Sequence, residues 1–304
     1  MNLIKFQQEF KDEQACIDWL ANERWGSKDK AICPHCGHKE CYVYANGVHF
    51  KCASCLKQFT VKIGTIFEDS RLPLVKWFLA IYLFSSLKKG ISSVQLAKYI
   101  SVTQKTAWFM LQRIREVMKD SNGGGGVMKG VVEIDEAYLG GSESNKHLIN
   151  KGKTEKKVVI GIVNRDTGKV VAKNVASNKT EDLQPVIYKN VKDNATIVTD
   201  SYFGYNNLKE HYKHKIIKHS AGEYVRVEAK TAFKIHTNTI EGFWSLLKRG
   251  IEGIYHWVSN KHINKYLNEF SFRYNNKDQS DFERFTNWFS GFEGKRLVYS
   301  SLIS

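Results

Sequence analysis

Asp135 lies inside the apolar run Val131-Val132-Glu133-Ile134-Asp135-Glu136-Ala137-Tyr138-Leu139. Asp200 ends the run Thr196-Ile197-Val198-Thr199-Asp200, and Glu241 stands near the start of Thr239-Ile240-Glu241-Gly242-Phe243-Trp244-Ser245-Leu246-Leu247-Lys248-Arg249. An aspartate within an apolar strand is costly to bury unless it is paired or holds a metal. Two acids on buried strands and a third on a later helix make a donor set for magnesium or manganese, which take a few carboxylates and keep other positions for water and phosphate. Two such ions about 3.5–4 Å apart suit phosphodiester displacement, because they activate the attacking oxygen and stabilise the leaving one. In that arrangement Asp135 bridges both ions, while Asp200 and Glu241 each complete one coordination sphere. Each position also has a structural reading. Glu133 shares the strand face of Asp135 and competes for its role. Asp200 can open a turn with Ser201. Asn238 and Glu241 are spaced as a capping box, and Asn238 is itself a candidate ligand. Lys248 falls two turns beyond Glu241 on one helix face, where it can hold a phosphate or stand solvated.

A second cluster is made of sulfur. Of the six cysteines, Cys33 and Cys36 form one Cys-x-x-Cys turn, and Cys52 and Cys55 form another. Two such turns supply four thiolates to one tetrahedral zinc, a closed structural site. The residues between them alternate around Asn46-Gly47 as a hairpin does, which predicts a zinc ribbon. His35, His38 and Cys41 lie close by as bystanders, and Cys16 belongs to a predicted helix over residues 12–24 as a buried apolar residue. The ribbon would present Lys39, Lys51 and Lys57 to a partner.

These groups need a scaffold, and the patterning supplies one. Residues 1–66 read as a short helix and the ribbon. Over residues 67–120 a helix reaching about 87 is followed by Ser92–Tyr99 and, after a tight turn at Val102, by a helix from Gln104 to Arg115, which Thr103 can cap. This is the order of a helix-turn-helix that places its second helix in a DNA major groove, with an ordinary helical hairpin as the alternative. Gln104, Lys105 and Arg113 are the candidate DNA contacts, and Trp108 and Leu111 are assigned to the core. Residues 121–129, rich in glycine, read as a linker. Residues 130–304 then give strands at 131–139, 157–164 and 169–175, a helix at 180–192, a strand at 196–199, a helix at 202–211, a strand at 215–217, and helices at 238–248 and 260–274. That order predicts a ribonuclease H-like domain, so the chain is expected to be a multidomain α+β and α/β protein. The polar loop from Gly140 to Lys157, with Lys151 and Lys153, is placed beside Asp135 to grip phosphates.

Lys and Arg number 46 against 31 acids, a formal charge of +15, which favours a polyanionic partner. The N-terminus has no signal-peptide pattern. The most apolar stretch, residues 77–84, is too short to cross a bilayer, so a cytoplasmic protein with no membrane partner is expected.

Taken together, these motifs resemble the insertion-sequence transposases with an N-terminal zinc ribbon and an ISXO-like DDE catalytic domain. The resemblance runs through both cysteine pairs, Gly64-Thr65-Ile66-Phe67, Glu133 to Gly141, Val198 to Tyr205, His236 to Gly250 and Phe272-Arg273-Tyr274-Asn275. It implies metal-dependent cleavage at the inverted-repeat ends of an element and attack of the freed 3′-hydroxyls on target DNA. It also implies the triad Asp135, Asp200 and Glu241 followed by Lys248, with Arg249 on the same basic segment, and at least a homodimer on double-stranded DNA in a bacterial nucleoid. Asn can replace the third acid in this family, so Asn238 and Glu241 remain alternatives. A DNA-binding regulator with an inert ribonuclease H-like domain is the competing reading.

Overall fold

The computed structural model describes residues 1–121, 126–140 and 156–303. The chain divides into two compact units, one of residues Met1–Ser121 with Asp278–Ser304, the other of Asn122–Lys277. Residues 278–304, assigned above to the last domain, therefore belong to the first unit.

The first unit opens with α1 (Leu3–Glu9) and α2 (Glu13–Trp25). Asp12 caps α2 by accepting from Ala15 N at 2.8 Å, and Gly26, at φ +80, ends it. The ribbon follows as an antiparallel sheet of β1 (Cys41–Val43), β2 (His49–Cys52) and β3 (Gln58–Thr60). Its β1–β2 turn is set by Asn46, whose Oδ1 accepts from Val48 N and His49 N, and by Gly47 at φ +65. Phe50, Phe59 and the buried Cys33 and Cys52 make its small core.

Three helices come next, α3 (Leu74–Ser86), α4 (Ser93–Ile100) and α5 (Gln104–Ser121). Ser92 Oγ caps α4 by accepting from Gln95 N at 3.1 Å, and the Gln95 side chain donates to Tyr99 OH. Ser101, in the left-handed region at φ +51, closes α4, and Thr103 Oγ1 accepts from Thr106 N to start α5. Val102 is half-buried in the turn between them.

The C-terminal segment explains the altered boundary. Its helix α9 (Asp281–Trp288) brings an aromatic stripe against α1 and α3. Phe285 meets Phe6, Phe10 and Phe78 at centroid distances of 5.0, 5.6 and 5.7 Å, and Trp288 Nε1 donates to Ile114 O at 3.0 Å.

The second unit is built on a five-stranded sheet. Its strands are β4 (Val131–Leu139), β5 (Lys157–Asn164), β6 (Val170–Val175), β7 (Thr196–Thr199) and β8 (Lys213–Ile216), with α6 (Thr180–Asn190) between β6 and β7. The order is β6-β5-β4-β7-β8. The first three strands run as an antiparallel meander, and β7 and β8 add in parallel on the other side of β4, which is the ribonuclease H-like arrangement expected. Two turns of 3₁₀ helix, at Phe203–Tyr205 and Leu208–Glu210, replace the single helix expected after β7, since Asn207 takes the left-handed conformation at φ +69 between them. A two-stranded ribbon, β9 (Arg226–Val227) and β10 (Lys234–Ile235), leads into α7 (Asn238–Gly250) and then α8 (Ile263–Asn275). The final elements, α9 (Asp281–Trp288) and α10 (Ser300–Ile303), lie in the first unit.

Side chains alternate across β4 with a period of two. Val132 and Ile134 face α6 in one buried cluster, while Ala137 and Leu139 face α7 and α8 in another. Asp135 and Glu133 share the parity of the α7 side. No helix among the described residues is long and apolar enough to cross a membrane.

Candidate functional site

The parallel pairing of β4 with β7 matches Val131, Val132 and Glu133 to Thr196, Ile197 and Val198. Extending that register sets Asp135 beside Asp200 on neighbouring strands and on one face, about 4.8 Å apart in backbone spacing. Asp200 does start a turn, its Oδ1 accepting from Tyr202 N at 2.9 Å. Burial first, then Glu136 and Asp200, push the Asp135 carboxyl up from 3.8 to about 7, against the lowering effect of Trp244. Glu136, on the opposite parity, is raised first by burial and then by Asp200, and Tyr205 OH donates to it.

Trp244 Nε1 donates to Asp135 Oδ2 at 3.0 Å. The indole reaches that position because Gly161 pairs with Asp135 across β4 and β5. A Cβ at residue 161 would lie 2.6 Å from two indole carbons and 2.8 Å from Ile240 Cδ1. The missing side chain is the seat for Trp244, and the sequence reading had not singled out this glycine.

Glu133, the competitor, is committed elsewhere. It is fully buried, and its oxygens accept from Arg165 Nε at 2.6 Å, Thr239 N and Thr239 Oγ1 at 2.9 Å, and Ile240 N at 3.0 Å. It thereby satisfies the free N–H groups at the start of α7 and places a negative charge at the positive end of the helix. Arg165 also donates to the carbonyls of Lys234 and His236. These bonds fix where α7 begins relative to β4.

Glu241 is held by groups other than the acid pair. α7 starts at Asn238, after the N-cap Thr237, so Asn238 and Glu241 do not form the spaced capping pair. Glu241 is exposed on the first turn, its Oε1 accepting from Thr237 Oγ1 at 3.0 Å with His219 Nδ1 at 3.6 Å. Among the described residues, the acids and histidines form no group of three with ligand atoms within 4.8 Å of one another. The structure therefore brings Asp135 and Asp200 together and leaves the Glu241 carboxylate apart. Asn238 is exposed at the same helix end. Glu269 is buried against Arg273 and Tyr255 OH and is not a candidate.

Lys248 and Arg249 are exposed on α7, with Arg249 Nε donating to Ser245 O. Gln104 and Lys105 are exposed at the start of α5. Gln104 Nε2 donates to Ser93 Oγ, and Lys105 Nζ lies 4.8 Å from the centroid of the Tyr299 ring. Arg113 is not an exposed contact. It is 5% exposed and donates to the carbonyls of Ile66, Glu68 and Leu297, because the C-terminal segment covers the face of α5 that the helical pattern alone leaves open. Trp108 is half-buried and Leu111 is buried. Lys151 and Lys153 lie outside the described residues.

The cysteines meet as predicted. Cys33 Sγ is 3.7 Å from Cys55 Sγ, Cys36 Sγ is 3.6 Å from Cys52 Sγ, and all four sulfurs lie within 4.8 Å of one another. A tetrahedron with Zn–S bonds of about 2.3 Å has edges close to 3.8 Å, so the cage fits zinc. Backbone N–H groups at Cys55 and Ser54 hold the Cys52 thiol down at about 6, favouring the thiolate a metal needs. Cys41 stands apart, 3.8 Å from His38 O, and the buried Cys16 thiol is pushed up to about 12 by burial.

Residues 127–275 match the family model described as an ISXO2-like transposase domain, and residues 11–58 match a transposase zinc-ribbon domain. The chain is 28% identical over 284 residues to the uncharacterized protein in transposable element ISH50 of Halobacterium salinarum, covering 87% of this chain and 91% of that one. A solved structure, a pre-cleavage Mos1 transpososome, aligns at 12% identity with a TM-score of 0.24 over 68% of this chain and 75% of its own. That likeness is too slight to bear on the fold, which rests on the strand order above.

Proposed function

From the membership of this chain in the ISXO2-like transposases, we propose that it cuts DNA at the terminal inverted repeats of its element and transfers the freed 3′-hydroxyls to target DNA. The observation that carries the mechanism is the Asp135–Asp200 pair, two carboxyls brought side by side by the β4–β7 register, with the Asp135 proton affinity raised by burial and by neighbouring acids. Such a pair of neighbouring carboxylates is suited to divalent cations. Magnesium or manganese, when bound there as a pair, would supply Lewis-acid activation of the phosphodiester and neutralise charge on its oxygens.

Asp135 and Asp200 would hold the ions, with Asp135 shared between them. Glu241 would join by leaving Thr237 and His219, a rearrangement within the first turn of α7. Asn238 is the alternative third donor on the same turn. Trp244 fixes the Asp135 oxygen it bonds. Lys248 and Arg249 would bind phosphates flanking the reacting bond, and Gln104 and Lys105 would contact the ends through the helix pair α4–α5. The zinc ribbon would present Lys39 and Lys57, both exposed, to the same DNA. Cutting and joining two ends together calls for at least two copies of the chain.

The test is a mobility assay. A marker flanked by the DNA that borders this gene is placed on a donor plasmid, and the protein is supplied in trans. Marker insertions into a recipient with wild-type protein, and none with Asp135→Asn or Asp200→Asn, are expected. Equal insertion with the variants overturns the mechanism. Specific end binding with no insertion by wild type favours the regulator reading.

A further inference from the structure

Beyond the acid pair, on the same face of the sheet, α7 does not end in an ordinary cap. It passes into a π-helical turn, Ile251–Tyr255, a rare conformation that concentrates at functional sites. The next residue, His256, sits at φ +57 and ψ −44, and Trp257 N donates to Tyr255 O at 2.6 Å across it. That is a γ-turn with positive φ at a residue with a full side chain, a strained form. Its effect is to set Trp257 on the surface, the residue 69% exposed.

The tryptophan is held in place. Lys157 Nζ lies 5.2 Å from the indole centroid and also donates to the carbonyl of Val258. Beside it is a cavity of about 410 Å³, within the range of about 300–1,000 Å³ common for small-molecule sites. Leu139, Ile251 and Ile263 line it with apolar surface, and Lys156, Lys157 and Lys248 bring positive charge, with Glu252 as its carboxylate. Leu139 is four residues beyond Asp135 on β4, about 13 Å along the strand. That is about four nucleotide rises of a stacked DNA strand.

We propose that this cavity takes an unpaired nucleobase from the DNA near the reacting bond, stacked on Trp257, with its flanking phosphates on Lys156, Lys157 and Lys248. The inference rests on the DNA-cutting reading above and adds a base-binding site to it. The parts match the ligand. An aromatic face stacks any base, an apolar wall covers its edge, and ammonium groups meet the backbone on either side. A base drawn from the duplex loses stacking and pairing, and Trp257 replaces part of that loss. Its exposure in the free protein is then that of an open binding face.

The experiment uses the full-length protein and duplex ends mapped by cleavage, with 2-aminopurine placed in turn at each position within about five nucleotides of the cut. Wild type, Trp257→Ala and Trp257→Phe are compared. The expected result is a fluorescence change on binding at one position with wild type and Trp257→Phe, absent with Trp257→Ala, whose end binding falls about tenfold. If wild type cuts its ends and no position gives a Trp257-dependent change, the base site is overturned and the cutting reading stands. If wild type neither binds nor cuts the ends, both fall.

Discussion

Replacing Gly161 with alanine is the sharpest probe of how the acid pair is positioned. The added Cβ would stand 2.6 Å from two carbons of the Trp244 ring, where ordinary contacts are 3.4–4 Å. The indole must retreat by roughly 1 Å in a close-packed interior. Ile240 Cδ1, at 2.8 Å, must move as well. Both belong to the cluster that joins α7 to the sheet. Overpacking of this kind costs about 1–3 kcal/mol, and loss of the 3.0 Å bond from Trp244 to Asp135 adds about 1 kcal/mol. For a domain of this size that lowers Tm by about 4–16 °C. Thermal denaturation followed by far-ultraviolet circular dichroism measures the shift, and DNA cutting is scored on the folded fraction. Trp244→Phe, which keeps most of the packing and loses the N–H, is expected to be destabilised less. A Gly161→Ala protein as stable and as active as wild type would refute the role given to this glycine.

Three other outcomes follow from the same geometry. Asp135, raised from 3.8 to about 7, lends metal-free protein stability that is full below pH 3.8, is lost as pH rises, and is gone above about 7. The loss is at most about 4 kcal/mol before allowance for solvent access. Denaturation midpoints across that window should show the fall in wild type and a smaller one in Asp135→Asn; parallel curves would contradict the burial of that carboxyl. Zinc measured by atomic absorption should be one ion per chain, lost in Cys33→Ser or Cys52→Ser and kept in Cys41→Ser or Cys16→Ser; loss in Cys41→Ser would move the cage. Arg113→Ala should lower stability by about 3 kcal/mol or more with the salt dependence of DNA binding unchanged, whereas Lys105→Ala should leave stability alone and reduce that slope; the opposite pattern would return Arg113 to the DNA surface.

Much of the catalytic unit was legible because its strands are long apolar, β-branched runs. β4, β5 and β7 lie at the residues their patterns predicted, and the cysteine spacing specified the cage. What failed depended on contacts between distant segments. Glu133 and Asp135 have the same strand parity, and only Arg165 and the start of α7 separate the helix-anchoring acid from the one that meets Trp244. Arg113 looked exposed because nothing near α5 announces that Leu297 will cover it. The stripe Phe282, Phe285, Trp288, Phe289 was the available signal for a helix seeking an apolar partner, but sequence does not say which unit supplies one. Gly161 was silent for a related reason, since its meaning lies in the side chain that crosses it.

The measurement that bears most directly on the central claim uses the DNA flanking this gene, end-labelled, incubated with purified protein and magnesium, and resolved at nucleotide level. Wild type is predicted to cut at paired inverted repeats only when a divalent cation is present. Asp135→Asn and Asp200→Asn are predicted to bind the same repeats and leave them whole. Cutting by either variant at the wild-type rate, or wild-type cutting undiminished in a chelator, would contradict the assignment of the acid pair as the metal-holding centre.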